Sequence, residues 1–213
     1  MILVTSSISV LGMIVLPIML GFWLTRKFKL SWKLFFAGAI TFIVSQILHI
    51  PFLIGATALF ANGTLPSPSE SWATIFNAVF LGLAAGVFEE TSRWVLFKFI
   101  LKNNRTWNEG VLVGAGHGGV EAFILGLLGI FTVINMLVLR NMDLSTTGIS
   151  PEQLAAAQQQ VTAFWESPAY VGFLGFVERI FAITLHIALS VMVLYSIANK
   201  KPGVSKIGSK IGV

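Results

Sequence analysis

Residues 111–139 read VLVGAGHGGVEAFILGLLGIFTVINMLVL, and this stretch decides what kind of protein the chain encodes. Its one charged residue is Glu121, and its one other ionisable residue is His117. No proline interrupts it and no polar face runs along it, so as a helix it is apolar almost all round and needs an apolar environment on every side. At about 1.5 Å per residue it outreaches a hydrocarbon core of roughly 30 Å. Comparable runs occupy residues 2–25, 34–61, 72–101 and 171–198. The whole chain agrees: of 213 residues, 55% are hydrophobic and 11% charged, against roughly 25% charged in soluble domains. A soluble domain, a disordered chain and a nucleic-acid-binding role are excluded. The expected fold class is all-α, a polytopic transmembrane bundle of five spans forming a single integral membrane domain over 1–213, with the lipid bilayer as its surroundings. Cysteine is absent, which removes disulfides, thiolate metal ligands and cysteine nucleophiles.

The charges between the spans alternate. Arg26, Lys27, Lys29 and Lys33 follow the first; residues 62–71 hold no Lys or Arg; Lys98, Lys102 and Arg105 follow the third. After the fourth comes Arg140 with Asp143, Glu152 and Glu166, and after the fifth come Lys200, Lys201, Lys206 and Lys210. The net charge of +5 is therefore a topology signal: the positive-inside rule puts the N-terminus outside and the C-terminus in the cytoplasm. The first run lacks a preceding basic region and a small-residue cleavage site, so it reads as a retained span. In the outer loop, 140–170, Ser150 and Pro151 form a helix-start signal before an Ala- and Gln-rich segment, which predicts a short surface helix.

The ionisable residues inside the spans carry the chemistry, because charge in hydrocarbon costs about 2.5–3.5 kcal/mol even on the mildest scale. Span three holds Glu89, Glu90 and Arg93; span four His117 and Glu121; span five Glu178, Arg179 and His186; span two His49. Glu89 and Arg93 share a helix face at i,i+4, as do His117 and Glu121, and Arg179 aligns with His186 two turns on. Counted inward at 1.5 Å per residue, Glu89, Glu90, His117, Glu121 and His186 fall in one layer roughly 10–20 Å from the cytoplasmic surface. Glu178 and Arg179 lie in the outer half and read as a structural pair or an outer gate, and His49 as a helix–helix contact. Two imidazoles and several carboxylates in one layer suit zinc or another divalent metal, with a carboxylate free to act as general base. Glycines around His117 allow close helix approach.

Several hydrolytic chemistries are missing. Asp143 is the single Asp, so no membrane aspartyl dyad exists; His-Glu-x-x-His and Gly-x-Ser-x-Gly are both absent. A glutamate-led metal site remains. Glu89-Glu90-Thr91-Ser92-Arg93 resembles the paired-glutamate motif of the intramembrane metalloprotease superfamily that includes the CAAX prenyl endopeptidases, bacteriocin-processing proteins and PrsW. Gly114 to Glu121, with Arg179 and Thr184 to Ser190, resembles the YhfC branch. The resemblance covers residues 72–198. It implies Glu89 as the general base that activates water, Glu90 beside it, Arg93 in the basic position after the pair, His117 or Glu121 in the second motif, and His186 in the third. Ser190 stands where that superfamily carries Asn or Asp, and the resemblance implies a further span beyond Val213, in the same chain or a partner.

The leading expectation is an intramembrane zinc metalloendopeptidase acting on a membrane-embedded or membrane-proximal peptide, in a bacterial plasma membrane. Its catalytic residues are Glu89, Glu90 and Arg93, and its metal residues His117, Glu121 and His186. Buried Glu and His also build proton relays, so an ion-coupled transporter is the alternative, and an inactive relative that binds membrane proteins is a third reading.

Overall fold

A computed structural model of the chain describes residues 1–142 and 148–199. Asp143, Lys200, Lys201, Lys206 and Lys210, which entered the charge argument, lie outside the described residues. Those residues fold into helices without a strand: α1 (Ile2–Phe28), α2 (Trp32–Ala61), α3 (Glu70–Val95), α4 (Trp107–Asn141), α5 (Pro151–Glu166) and α6 (Val171–Asn199). α3 runs on into a π-helical turn, Leu96–Ile100. Five helices are long and apolar enough to cross a membrane, α3 doing so together with its π turn.

Local chemistry sets the helix ends beyond the apolar windows. Lys29 takes the left-handed conformation (φ 54°) that closes α1, and Ser31 caps α2 by accepting from the Lys33 amide at 3.2 Å. The two spans are thus joined by a tight turn. α4 opens on a capping box, with Glu109 accepting from the Thr106 amide at 2.8 Å. Ser150 and Gln153 form a second box at the start of α5, whose Pro151 needs no amide partner in the first turn.

α4 is the central post, packed against α1, α2 and α6. Its stretch from Gly110 to Gly119 is buried almost without interruption. Glycine makes this possible. A methyl group at Gly116 would overlap the Phe35 carbonyl of α2, and one at Gly38 of α2 would overlap the Val113 carbonyl of α4. One at Gly114 would strike the backbone of Ile187 in α6. These small residues let backbones touch where side chains normally intervene. The polarity is reversed relative to a soluble protein. Leu11, Met19, Ile40, Leu83 and Phe181 face outward, while Ser45, Arg93, His117 and Ser190 are fully buried.

α3 is held differently. Its buried residues are Ala84 and Arg93 alone. Its first half leans on α2 through aromatic contacts of Phe76 and Phe80 with Phe52 and Phe60, ring centroids 5.6–6.2 Å apart.

Candidate metal centre

Three helices deliver one ionisable cluster. Glu89 and Glu90 come from α3, His117 and Glu121 from α4, and His186 from α6. Ligand atoms of Glu89, His117 and His186 all lie within 4.8 Å of one another. Oε2 of Glu89 is the common point, 3.2 Å from His117 Nε2 and 3.6 Å from His186 Nδ1. No partner touches its Oε1 among the described residues. The two imidazole rings lie 5.0 Å apart, and Phe42 meets His117 edge-on at 5.3 Å.

Arg93 sits among these groups. It is fully buried, and its Nη2 donates to Glu89 Oε2 at 3.2 Å and to His186 Nδ1 at 2.6 Å. Its Nη1 binds Glu90. The guanidinium therefore joins both carboxylates of the pair to the α6 histidine. Glu89 lies deeper than Glu90, with side chains 13% and 30% exposed. The second oxygen of Glu90 is buried without a hydrogen-bond partner among the described residues.

Glu121 stands behind His186, with Oε2 2.8 Å from Nε2 of that ring. Its Oε1 lies 2.8 Å from Nη1 of Arg179 in an ion pair whose geometry is too oblique for an aligned hydrogen bond. Arg179 also binds the neighbouring Glu178. Depth counting set Glu178 and Arg179 apart from the chemical layer; the structure ties Arg179 to it through Glu121. The signal available in the sequence was the two-turn spacing of Arg179 and His186. His49 stacks on Phe88 at 5.3 Å between α2 and α3, and its Nδ1 lies 3.2 Å from Gln46 Oε1. Ser190, one turn beyond His186, is buried and has no hydrogen-bond partner among the described residues.

The donor set fits a divalent metal. It offers two imidazole nitrogens and a carboxylate oxygen, the ligand types of catalytic zinc sites that leave a fourth position open. A cation is already accommodated among them, since Arg93 Nη2 touches two of the three. The cluster lacks sulfur ligands, which favours hydrolytic over thiolate chemistry.

The family described as YhfC intramembrane metalloprotease matches residues 12–205, a span that contains every residue of the cluster. A relative described as the uncharacterized membrane protein YhfC of Bacillus subtilis (strain 168) is 34% identical over 193 residues, covering 88% of this chain and 72% of its own length. No solved structure matches the chain. With five apolar helices and this relative, the chain is an integral membrane protein of a bacterial plasma membrane. Matched by its family model over most of its length, the chain belongs to the YhfC intramembrane metalloprotease family.

Proposed function

We propose that the protein is a zinc-dependent intramembrane endopeptidase, with a membrane-embedded or membrane-proximal peptide as substrate. The observation that carries this reading is the meeting of Glu89, His117 and His186 from three helices. His117 Nε2, His186 Nδ1 and Glu89 Oε2 would hold the ion. Zinc bound there supplies a Lewis acid that acidifies water and polarises a peptide carbonyl. Glu89 Oε1 takes the proton of the attacking water and returns it to the departing amine nitrogen, the ordinary double duty of a general base turned acid. Arg93 bridges the two carboxylates of α3 and aims them, with Glu90 as its anchor. Arg93 Nη2 meets two of the atoms that would hold the ion, His186 Nδ1 and Glu89 Oε2. Glu121, expected as a direct ligand, is better supported as a residue that orients His186, since one oxygen meets that ring and the other meets Arg179. The basic residues at the Lys29 and Arg105 end of the bundle support a cytoplasmic location for that end.

The test is metal analysis joined to hydrolysis. Purified protein in detergent is expected to carry about one zinc per chain, removable by chelation, and to cleave a single-span reporter peptide. Glu89→Gln keeps the shape and removes the base, so turnover should fall by a factor on the order of 10³. His186→Ala should lose the metal itself. Cleavage by Glu89→Gln at the wild-type rate would sink the proteolytic assignment. Loss of metal from Glu89→Gln as complete as from His186→Ala would make Glu89 a ligand alone and pass the base role to Glu90.

A further inference from the structure

We infer that Arg179 and Glu121 form a positioning chain that fixes which nitrogen His186 presents to the metal centre. The inference rests on the zinc reading above for its purpose, but its geometry stands without a metal. His186 is buried between two partners of opposite kind. On one edge, Nε2 lies 2.8 Å from a carboxylate oxygen of Glu121. On the other, Nδ1 lies 2.6 Å from a guanidinium nitrogen of Arg93. An ionised carboxylate only accepts and a guanidinium only donates. The ring must therefore carry its proton on Nε2 and offer the Nδ1 lone pair to the side where Glu89 Oε2 waits at 3.6 Å.

Arg179 makes Glu121 dependable in this role. Free carboxylates this close to a cation site tend to enter it as ligands. Here the second oxygen of Glu121 is held 2.8 Å from Arg179 Nη1, and Arg179 is braced from behind by Glu178. Helix spacing supports the arrangement from both sides. Arg179 and His186 stand two turns apart on α6, and His117 and Glu121 one turn apart on α4. One face of α4 thus serves both histidines: His117 directly, and His186 through Glu121. His117 has no equivalent support. Its Nδ1 is buried without a hydrogen-bond partner among the described residues, and packing against Phe42 and His186 sets the ring's tilt. The chain from Arg179 through Glu121 is thus specific to one ligand. A carboxylate on the far nitrogen of a metal-binding histidine orients the ring and raises its basicity, and its loss typically weakens metal affinity 10–100-fold.

The protein has three histidines, which makes a nitrogen-15 NMR measurement on histidine-labelled, metal-free protein practical, with His186→Gln identifying the relevant signals. Wild type should show His186 as the Nε2–H tautomer. Glu121→Leu and Arg179→Met should each yield a mixture of tautomers, and Arg179→Lys should return most of the wild-type form. In a parallel zinc titration, Glu121→Leu should bind about 10–100-fold more weakly, Arg179→Met less so, and Arg179→Lys close to wild type. An Nδ1–H tautomer in wild type overturns the inference, as does a tautomer unmoved by Glu121→Leu. Complete loss of zinc in Glu121→Leu with the tautomer unmoved would make Glu121 a ligand. A wild-type protein with the Nε2–H tautomer but no zinc affinity would leave the positioning chain standing and remove the metalloprotease reading instead.

Discussion

The two helices that bring most of the chemistry together are held by opposite means. α4 carries His117 inside a glycine-rich stretch packed on three sides, where backbone meets backbone. α3 carries Glu89 and Glu90 on a helix whose buried residues are Ala84 and Arg93 alone. His117 is placed by shape, because α4 has no room to shift. Glu89 is placed by charge and hydrogen bonding, because this part of α3 meets α6 through Arg93 and Glu89 on His186 and meets α4 through Glu89 on His117. The site therefore has one wall that packing keeps rigid and one wall that depends on an ion-pair network.

That contrast breaks most sharply at Arg93. Arg93→Met removes the cation shared by Glu89, Glu90 and His186 and leaves two acidic side chains without compensation, at a cost of about 3–5 kcal/mol. Hydrogen exchange should show α3 losing protection while the Gly110–Gly119 stretch of α4 keeps it. Equal loss in both helices would mean that α3 is not held separately.

The next test touches the rigid wall. Gly116→Ala adds a methyl group where the Phe35 carbonyl already sits, so α2 and α4 must separate. Overpacking of this kind costs about 1–3 kcal/mol, and thermal unfolding in detergent followed by size-exclusion chromatography should report the drop. The smallest effect should have the opposite sign. Gly86 lies on α3 with nothing within 4 Å of an added methyl. Gly86→Ala should raise stability slightly, by about 0.5–1 kcal/mol, because alanine loses less backbone freedom in a helix. If Gly86→Ala destabilises as much as Gly116→Ala, α3 is packed by something that the contrast between the two helices leaves out.

The sequence reveals the fold class because apolar runs of this length have one home. It also reveals the layer of reactive groups, since helical rise converts residue number into depth and i,i+4 spacing converts it into direction. Those two rules put Glu89, Glu90, His117, Glu121 and His186 in one layer, but they do not single out the three whose ligand atoms meet. The rules do not give the reach of long side chains. Arg179 lies two turns from His186 along α6, yet its guanidinium spans the gap to Glu121 on another helix. Arg93 looked like a partner for Glu89 at i,i+4, and its contact with His186 crosses between helices that no spacing relates. Hydropathy is equally silent about the difference between α3 and α4: both read as apolar spans, and only packing separates the enclosed helix from the exposed one. Orientation across the membrane rests on the flanking charges, as the helices are compatible with either direction.

The π turn at Leu96–Ile100 takes up one residue of chain length below the carboxylate pair. Beyond it the chain is anchored, with Arg105 donating to the carbonyls of Leu101 and Asn104 and Thr106 fixed in the cap of α4. A π turn holds one residue more than the α-helical turn it replaces. A chain one residue shorter between 96 and 100 would therefore still make a continuous helix, with its lower end held by the same anchor. The π turn takes up its extra residue within one turn, so everything above it would keep nearly the same bearing. Glu89 and Glu90 would still face His117 and His186. A residue removed from the regular α-helical stretch between Arg93 and Leu96, where no wider turn absorbs it, would instead rotate the pair by about 100°.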